Sequence, residues 1–64
     1  MSTLRKVIDG LTLIEKYEPT AWIAVEHDQI WAGTYSDARM PAEDRTKMKR
    51  LGWKEDASAW SLEV

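Results

Sequence analysis

The chain has no cysteine and no phenylalanine, and it contains one histidine, three glycines and two prolines in 64 residues. Without cysteine it can form neither a disulfide nor a thiolate metal cage, and a reducing intracellular setting is permitted. One histidine excludes a histidine-rich metal site, and isolated glycines do not form a phosphate-binding loop. We therefore expect no cofactor, and we expect aromatic packing or self-association to supplement a small core.

Long hydrophobic runs are also missing. No stretch approaches the length of a membrane span, and the N-terminus has no apolar run of signal-peptide length. These absences predict a soluble, cytoplasmic protein that does not contact membranes. A chain this short is expected to form a single domain over residues 1–64, and such a domain buries only about 60% of the surface that its unfolded form exposes.

Two segments have the periodicity of helices. The first is capped by Ser2 or Thr3, ends at about Tyr17 before a proline, and carries one apolar stripe made of Leu4, Val7, Ile8, Leu11 and Ile14. The second has Pro41 at its first position, acidic residues in its first turn and Gly52 just past its end.

One hairpin is predicted after each helix. Strands are predicted over Ala21–Glu26 and Ile30–Tyr35, and again over Trp53–Glu55 and Ala59–Val64. The order is therefore α-β-β-α-β-β. Because sequential strands usually pair, this order predicts an α+β fold with a four-stranded antiparallel sheet and two helices packed on it.

Four tryptophans are the most unusual part of the composition. Such rings either fill a small core or form a surface that a partner covers. Trp53 and Trp60 alternate with Leu62 and Val64, so we assign them to the core.

Alternation along the first hairpin separates two apolar faces. One face, predicted to be the core beneath the helices, contains Ile23, Val25, Ile30 and Ala32. The other contains Trp22, Ala24, Trp31 and Tyr35. If both helices lie on the first face, the aromatic residues Trp22, Trp31 and Tyr35 are predicted to bind a protein partner. The alternative is that one helix covers them within the monomer.

Several short motifs extend over most of the chain. They are Leu11 to Tyr17, Glu26-His27-Asp28-x-Ile30, Glu43-Asp44, and Leu51-Gly52-Trp53-x-x-Asp56 followed by Ser58 to Val64. This pattern resembles a group of small proteins that bacteriophages and prophages encode, in which a tryptophan-containing strand closes the chain. The resemblance implies an accessory protein of phage or prophage origin, acting in a bacterial host.

Glu26, His27 and Asp28 form the only cluster of catalytic residue types. A carboxylate–histidine pair could perform acid–base chemistry or contribute to a metal site. Adjacent strand residues point to opposite faces, however, so at most two of the three could converge. We interpret the cluster as a hairpin turn stabilised by Asp28, with metal binding or catalysis as the alternative.

The second helix is basic although the whole chain has a net charge of −2. Its candidate nucleic-acid contacts are Arg45, Lys47, Lys49 and Arg50. Lysine and arginine near a helix C-terminus are also expected from the helix dipole alone, and the overall acidity opposes tight binding of nucleic acid. A solvated charged face is therefore the favoured interpretation.

These observations favour a non-enzymatic protein-interaction module. Its expected partner is a protein, either a second copy in a homodimer or a host protein, bound through the aromatic sheet face. The alternative function is weak association with nucleic acid through the second helix.

Overall fold

A computed structural model of the chain describes residues 2–35 and 39–64. Within these ranges the elements are α1 (Thr3–Tyr17), β1 (Ile23–Glu26), β2 (Gln29–Ala32), α2 (Ala42–Leu51), β3 (Lys54–Asp56) and β4 (Ala59–Glu63). The strands pair antiparallel in the order β1-β2-β4-β3. The predicted α+β class and element order are confirmed. Residues 36–38, in the loop predicted between the first hairpin and the second helix, lie outside the described ranges.

The helix ends follow from local chemistry. The Ser2 hydroxyl oxygen accepts a hydrogen bond from the Arg5 amide at 3.1 Å, as an N-cap does. Pro41 precedes α2 as its extended N-cap residue, so this helix begins one position later than predicted. Gly52 ends α2 in the left-handed conformation at φ 102°, which a residue with a Cβ rarely adopts.

Each hairpin turn contains two residues. Ala57 and Ser58 both have positive φ, at 54° and 63°, as the tightest hairpin turns require. In the first hairpin Glu26 pairs with Gln29, and His27 has φ 52°. Both turns are one residue shorter than predicted, because the chain accepts strained non-glycine residues at these positions.

The core lies on one side of the sheet. It contains Ile14, Ile30, Ala32, Met40, Met48, Leu51, Trp53, Trp60 and Leu62. Trp53 and Trp60 are each 1% exposed, which confirms their predicted place in the core. Because most of these residues come from α1, α2 and one face of β2 and β4, with Met40 and Trp53 on either side of α2, the helices pack together on that face.

Strand β1 contributes nothing to this buried cluster of the described residues. Ile23 and Val25 lie on the helix-facing side, opposite Ala32 and Ile30, yet they are 54% and 67% exposed. The prediction that these two residues belong to the core is therefore wrong. On this face, the helices cover β2 and β4 and leave β1 open to solvent.

A close contact explains where α1 lies. The indole N–H of Trp53, just before β3, donates to the Lys6 carbonyl at 3.0 Å. A Cβ placed on Gly10 would come within 2.0 Å of the same indole nitrogen. Glycine thus lets α1 settle directly onto Trp53, which anchors the helix toward β3 and away from β1.

Candidate functional site

Trp31 lies on the sheet face that no helix covers within the described residues. Its indole N–H donates to the Asp56 carboxylate at 3.2 Å. On the same face the Gln29 amide donates to the Ser61 hydroxyl at 2.7 Å, and Ser61 is fully buried. Trp31 is half-buried and satisfied within the monomer, so this face forms a polar network rather than an apolar surface.

Tyr35 does not share that face. Its ring lies 4.6 Å from the ring of Trp60, which belongs to the core. The expected alternation stops because β2 ends at Ala32 and Gly33 turns the chain with φ 61°. The prediction that Tyr35 joins Trp31 in one aromatic face is therefore wrong.

Trp22 is 52% exposed and lies just before β1. It lines a groove of about 180 Å³ between α1 and β1, together with Leu11, Ile14 and Ile23. The structure thus separates the three predicted partner-binding residues, and Trp22 keeps an exposed position beside a different apolar surface.

That surface combines α1 with β1. Leu4 and Ile8 are 69% and 40% exposed, and with Leu11 they follow one row of α1 at helical spacing. Leu11 reaches the groove beside Ile23, so this row runs along the β1 side of the helix. We define the α1–β1 surface as Leu4, Ile8, Trp22, Ile23 and Val25.

The α1–β1 surface includes five of the six large apolar residues that are exposed in the described chain, the sixth being Val64. A concentration of exposed apolar side chains on two neighbouring elements of a small protein is typical of a binding surface or an association site. Sequence analysis missed it because Leu4, Ile8, Ile23 and Val25 carry the same periodicity that core residues have.

The backbone of β1 is also exposed at its outer edge. The Gly33 amide donates to the Trp22 carbonyl at 3.0 Å, which makes this pair hydrogen-bonded across β1 and β2. Hydrogen-bonded pairs alternate with non-hydrogen-bonded pairs along an antiparallel ladder. The backbone N–H and C=O groups of Ala24 and Glu26 therefore also point toward β2. The N–H and C=O groups of Ile23 and Val25 consequently point outward, where another strand can pair with them.

A second cluster joins α1 to α2 around Asp44, which is 6% exposed. The Tyr17 hydroxyl donates to its carboxylate, and the ammonium groups of Lys16 and Lys47 lie 3.7 and 3.6 Å from it. The Tyr17 hydrogen bond, followed by these two charges, holds the pKa of Asp44 below its usual value. The same hydrogen bond and burial raise the pKa of Tyr17.

Sequence analysis placed Asp44 correctly in the first turn of α2 but did not find this cluster. An acidic residue is expected there for the helix dipole alone, and its tyrosine partner lies on the other helix. The cluster fixes the two helices to each other, which makes it a structural feature.

The basic residues of α2 differ in what their side chains contact. The Arg45 guanidinium donates to the Met40 carbonyl at 3.0 Å, and Lys47 pairs with Asp44. Lys49 and Arg50 are exposed at the end of the helix. Lys47 and Arg50 also line a cleft of about 430 Å³ between α1 and α2. The predicted nucleic-acid contacts therefore do not all face one surface.

Glu26, His27 and Asp28 are exposed at the first hairpin turn. The Asp28 carbonyl accepts a hydrogen bond from the Val64 amide at 2.6 Å, which ties the turn to the end of β4. Across residues 2–35 and 39–64, no group of three or more acidic or histidine side chains could hold a metal ion.

Comparison with known proteins gives no family for this chain. No family model matches it, and neither the curated proteins nor the solved structures give a significant match. Within the described ranges, neither α1 nor α2 has the length and apolar character that a membrane-crossing helix needs.

Proposed function

We propose that this protein is a non-enzymatic protein-interaction module that binds through the α1–β1 surface. Together with the resemblance to small phage and prophage proteins, this suggests an accessory protein of the bacterial cytoplasm. The single observation that carries the proposal is the exposure of Ile23 and Val25, at 54% and 67%, on the helix-facing side of the sheet.

The exposure is costly for a chain of this size. Burying one such aliphatic side chain typically stabilises a protein by about 1.5–3 kcal/mol. A domain of 64 residues has little stability in reserve, and a helix shifted toward β1 would bury these side chains. A partner that covers the α1–β1 surface would recover this free energy on binding.

The test is a comparison of association by variants of two surfaces. Val25→Lys places a charge in the α1–β1 surface, whereas Trp31→Ala removes the indole of the polar sheet face. Self-association is measured by sedimentation equilibrium. Binding of host proteins is measured by capture from bacterial lysate, and a protein counts as a partner only when it is recovered in a stoichiometric ratio to this chain. We expect Val25→Lys to abolish whichever association the wild type shows, and Trp31→Ala to retain it.

Circular dichroism of both variants provides the folding control. Loss of association in Trp31→Ala but not in a folded Val25→Lys would contradict the proposal and return the binding site to the polar sheet face. Equal association by both folded variants would also contradict it.

Weak association with nucleic acid through α2 is the second candidate. It is supported by the exposed positions of Lys49 and Arg50 at the end of the helix. This function predicts binding to DNA or RNA that weakens steeply with salt and is lost in Lys49→Glu with Arg50→Glu. Absence of binding at low salt would exclude it.

A further inference from the structure

We propose that the occupant of the α1–β1 surface is a second copy of this chain, and that the two β1 strands pair antiparallel across a twofold axis at Ala24. This inference rests on the proposed function, because it names the partner of the same surface. It would join two sheets into one continuous sheet, in which β1 is no longer an edge.

The backbone favours one register for this pairing. The outward-facing hydrogen-bonding groups belong to Ile23 and Val25, and β1 is four residues long. Placing Ala24 opposite Ala24 of the second copy sets Ile23 opposite Val25 at both ends of the strand. Each of these pairs exchanges two N–H···O=C bonds, so the register satisfies all the outward-facing groups of both residues. Shifting the axis to Ile23 or Val25 would leave only one such pair within the strand.

The side chains agree with the same register. Residues directly opposite each other in an antiparallel pair point to the same face. Ile23 and Val25 of both copies would therefore form one aliphatic cluster on the helix-facing side, between the two rows of Leu4 and Ile8. On the other face, the close non-hydrogen-bonded position at the axis holds alanine, which is small enough for it.

Charge and area also fit a second copy. Glu26, the charged residue of β1, would lie about 13 Å along the strand from its symmetry mate, farther than the screening length of about 8 Å. A stable interface buries about 800 Å² per partner, and the surface of the whole monomer is 4200 Å². The strand edge alone is too small for this, so the row on α1 and Trp22 must take part.

Disulfide trapping tests the register directly, because the natural chain has no cysteine. In Ala24→Cys the two thiols meet at the axis, where the Cα atoms are about 4.5 Å apart and within bonding range. Glu26→Cys is the matched control on the same strand and the same face, with its thiols far apart. Under mild oxidation we expect Ala24→Cys to form covalent dimer at least about tenfold faster than Glu26→Cys.

A second pair of variants checks the neighbouring positions. A mixture of Ile23→Cys and Val25→Cys chains should form more heterodimer than either variant forms homodimer, since these positions lie opposite each other. Equal rates for Ala24→Cys and Glu26→Cys, with both variants folded, would overturn the proposed register.

Sedimentation equilibrium of the unmodified chain separates this inference from the proposed function. We expect a species of twice the 7.4 kDa monomer mass, and in Val25→Lys a dissociation constant about 100-fold higher. A folded wild type that remains monomeric up to about 1 mM would overturn the homodimer. The proposed function would then still hold if a host protein binds the wild type and not Val25→Lys, and it would fail if neither association occurs.

Discussion

The two edges of the sheet differ in both sequence and cover. The β3 edge reads Lys54-Glu55-Asp56, and the residue before it is Trp53, buried against α1. The β1 edge reads Ile23-Ala24-Val25-Glu26, and its aliphatic side chains are exposed. Natural proteins protect edge strands with charges, and β3 has this protection while most of β1 does not.

The difference indicates which edge is open to pairing with another strand. Three charged side chains on β3 oppose the approach of another strand. On β1 the exposed apolar side chains and the outward backbone groups both favour it. The following predictions test this contrast between a closed and an open edge.

The largest effect is expected from removing a tryptophan beside the closed edge. Trp53→Ala should lower the free energy of unfolding by about 3–5 kcal/mol, because it leaves a cavity in the core. Trp22→Ala, beside the open edge, should change it by less than about 1 kcal/mol in the monomer. Urea denaturation at low protein concentration measures both, and similar losses would show that the two edges are equally covered.

Gly10→Ala should destabilise the protein by about 1–3 kcal/mol, because the new Cβ would overlap the Trp53 indole. In an ordinary helix the same change stabilises by about 1 kcal/mol, so the sign is diagnostic. Thr12→Ala at an exposed position of α1 is the control and should cost less than about 0.5 kcal/mol. Thermal unfolding measures both, and a stabilised Gly10→Ala would show that α1 is not held against Trp53.

Tyr17→Phe should produce a smaller, pH-dependent loss by removing the hydrogen bond to Asp44. Folding lowers the Asp44 pKa below its ordinary 3.8, so this stabilisation is present above that pH and is lost as pH falls through the folded value. The difference between wild type and Tyr17→Phe should therefore shrink in acid. Urea denaturation from pH 7 to pH 2 measures it.

Tyr35→Phe is the matched control for Tyr17→Phe, since it removes a hydroxyl from the other tyrosine of the chain. Its ring packs on Trp60 and is not part of the Asp44 cluster. A constant difference between wild type and Tyr17→Phe at every pH, or the same pH dependence in Tyr35→Phe, would show that the Asp44 carboxylate does not stabilise the fold through Tyr17.

The smallest effect on monomer stability is expected from exchanging the character of the edges. Val25→Lys should change the free energy of unfolding by about 0.5 kcal/mol or less, because the side chain is exposed. Lys54→Val should be similarly mild but should promote association through β3. Light scattering over a range of concentrations measures the association, and an unchanged state in both variants would remove the contrast between the edges.

Much of the fold followed from local patterns. The Ser2 cap, the end of α1 before Pro19 and the left-handed Gly52 each depend on a few neighbouring residues. Short apolar runs on either side of turn residues predicted both hairpins, since short turns bring sequential strands together. The proposed binding surface could not be predicted in the same way, because alternation shows which side chains share a face but not how far across that face the helices reach.

Trp31 and Val25 illustrate that limit. Sequence alone assigned the indole to a binding face and the valine to the core, whereas Trp31 bonds to Asp56 and Val25 is exposed. Composition and periodicity determined the elements, their order and the burial of Trp53 and Trp60. Tertiary structure decided the open edge, because α1 rests where Gly10 meets Trp53, and that contact joins residues too distant along the chain for any local pattern to reveal.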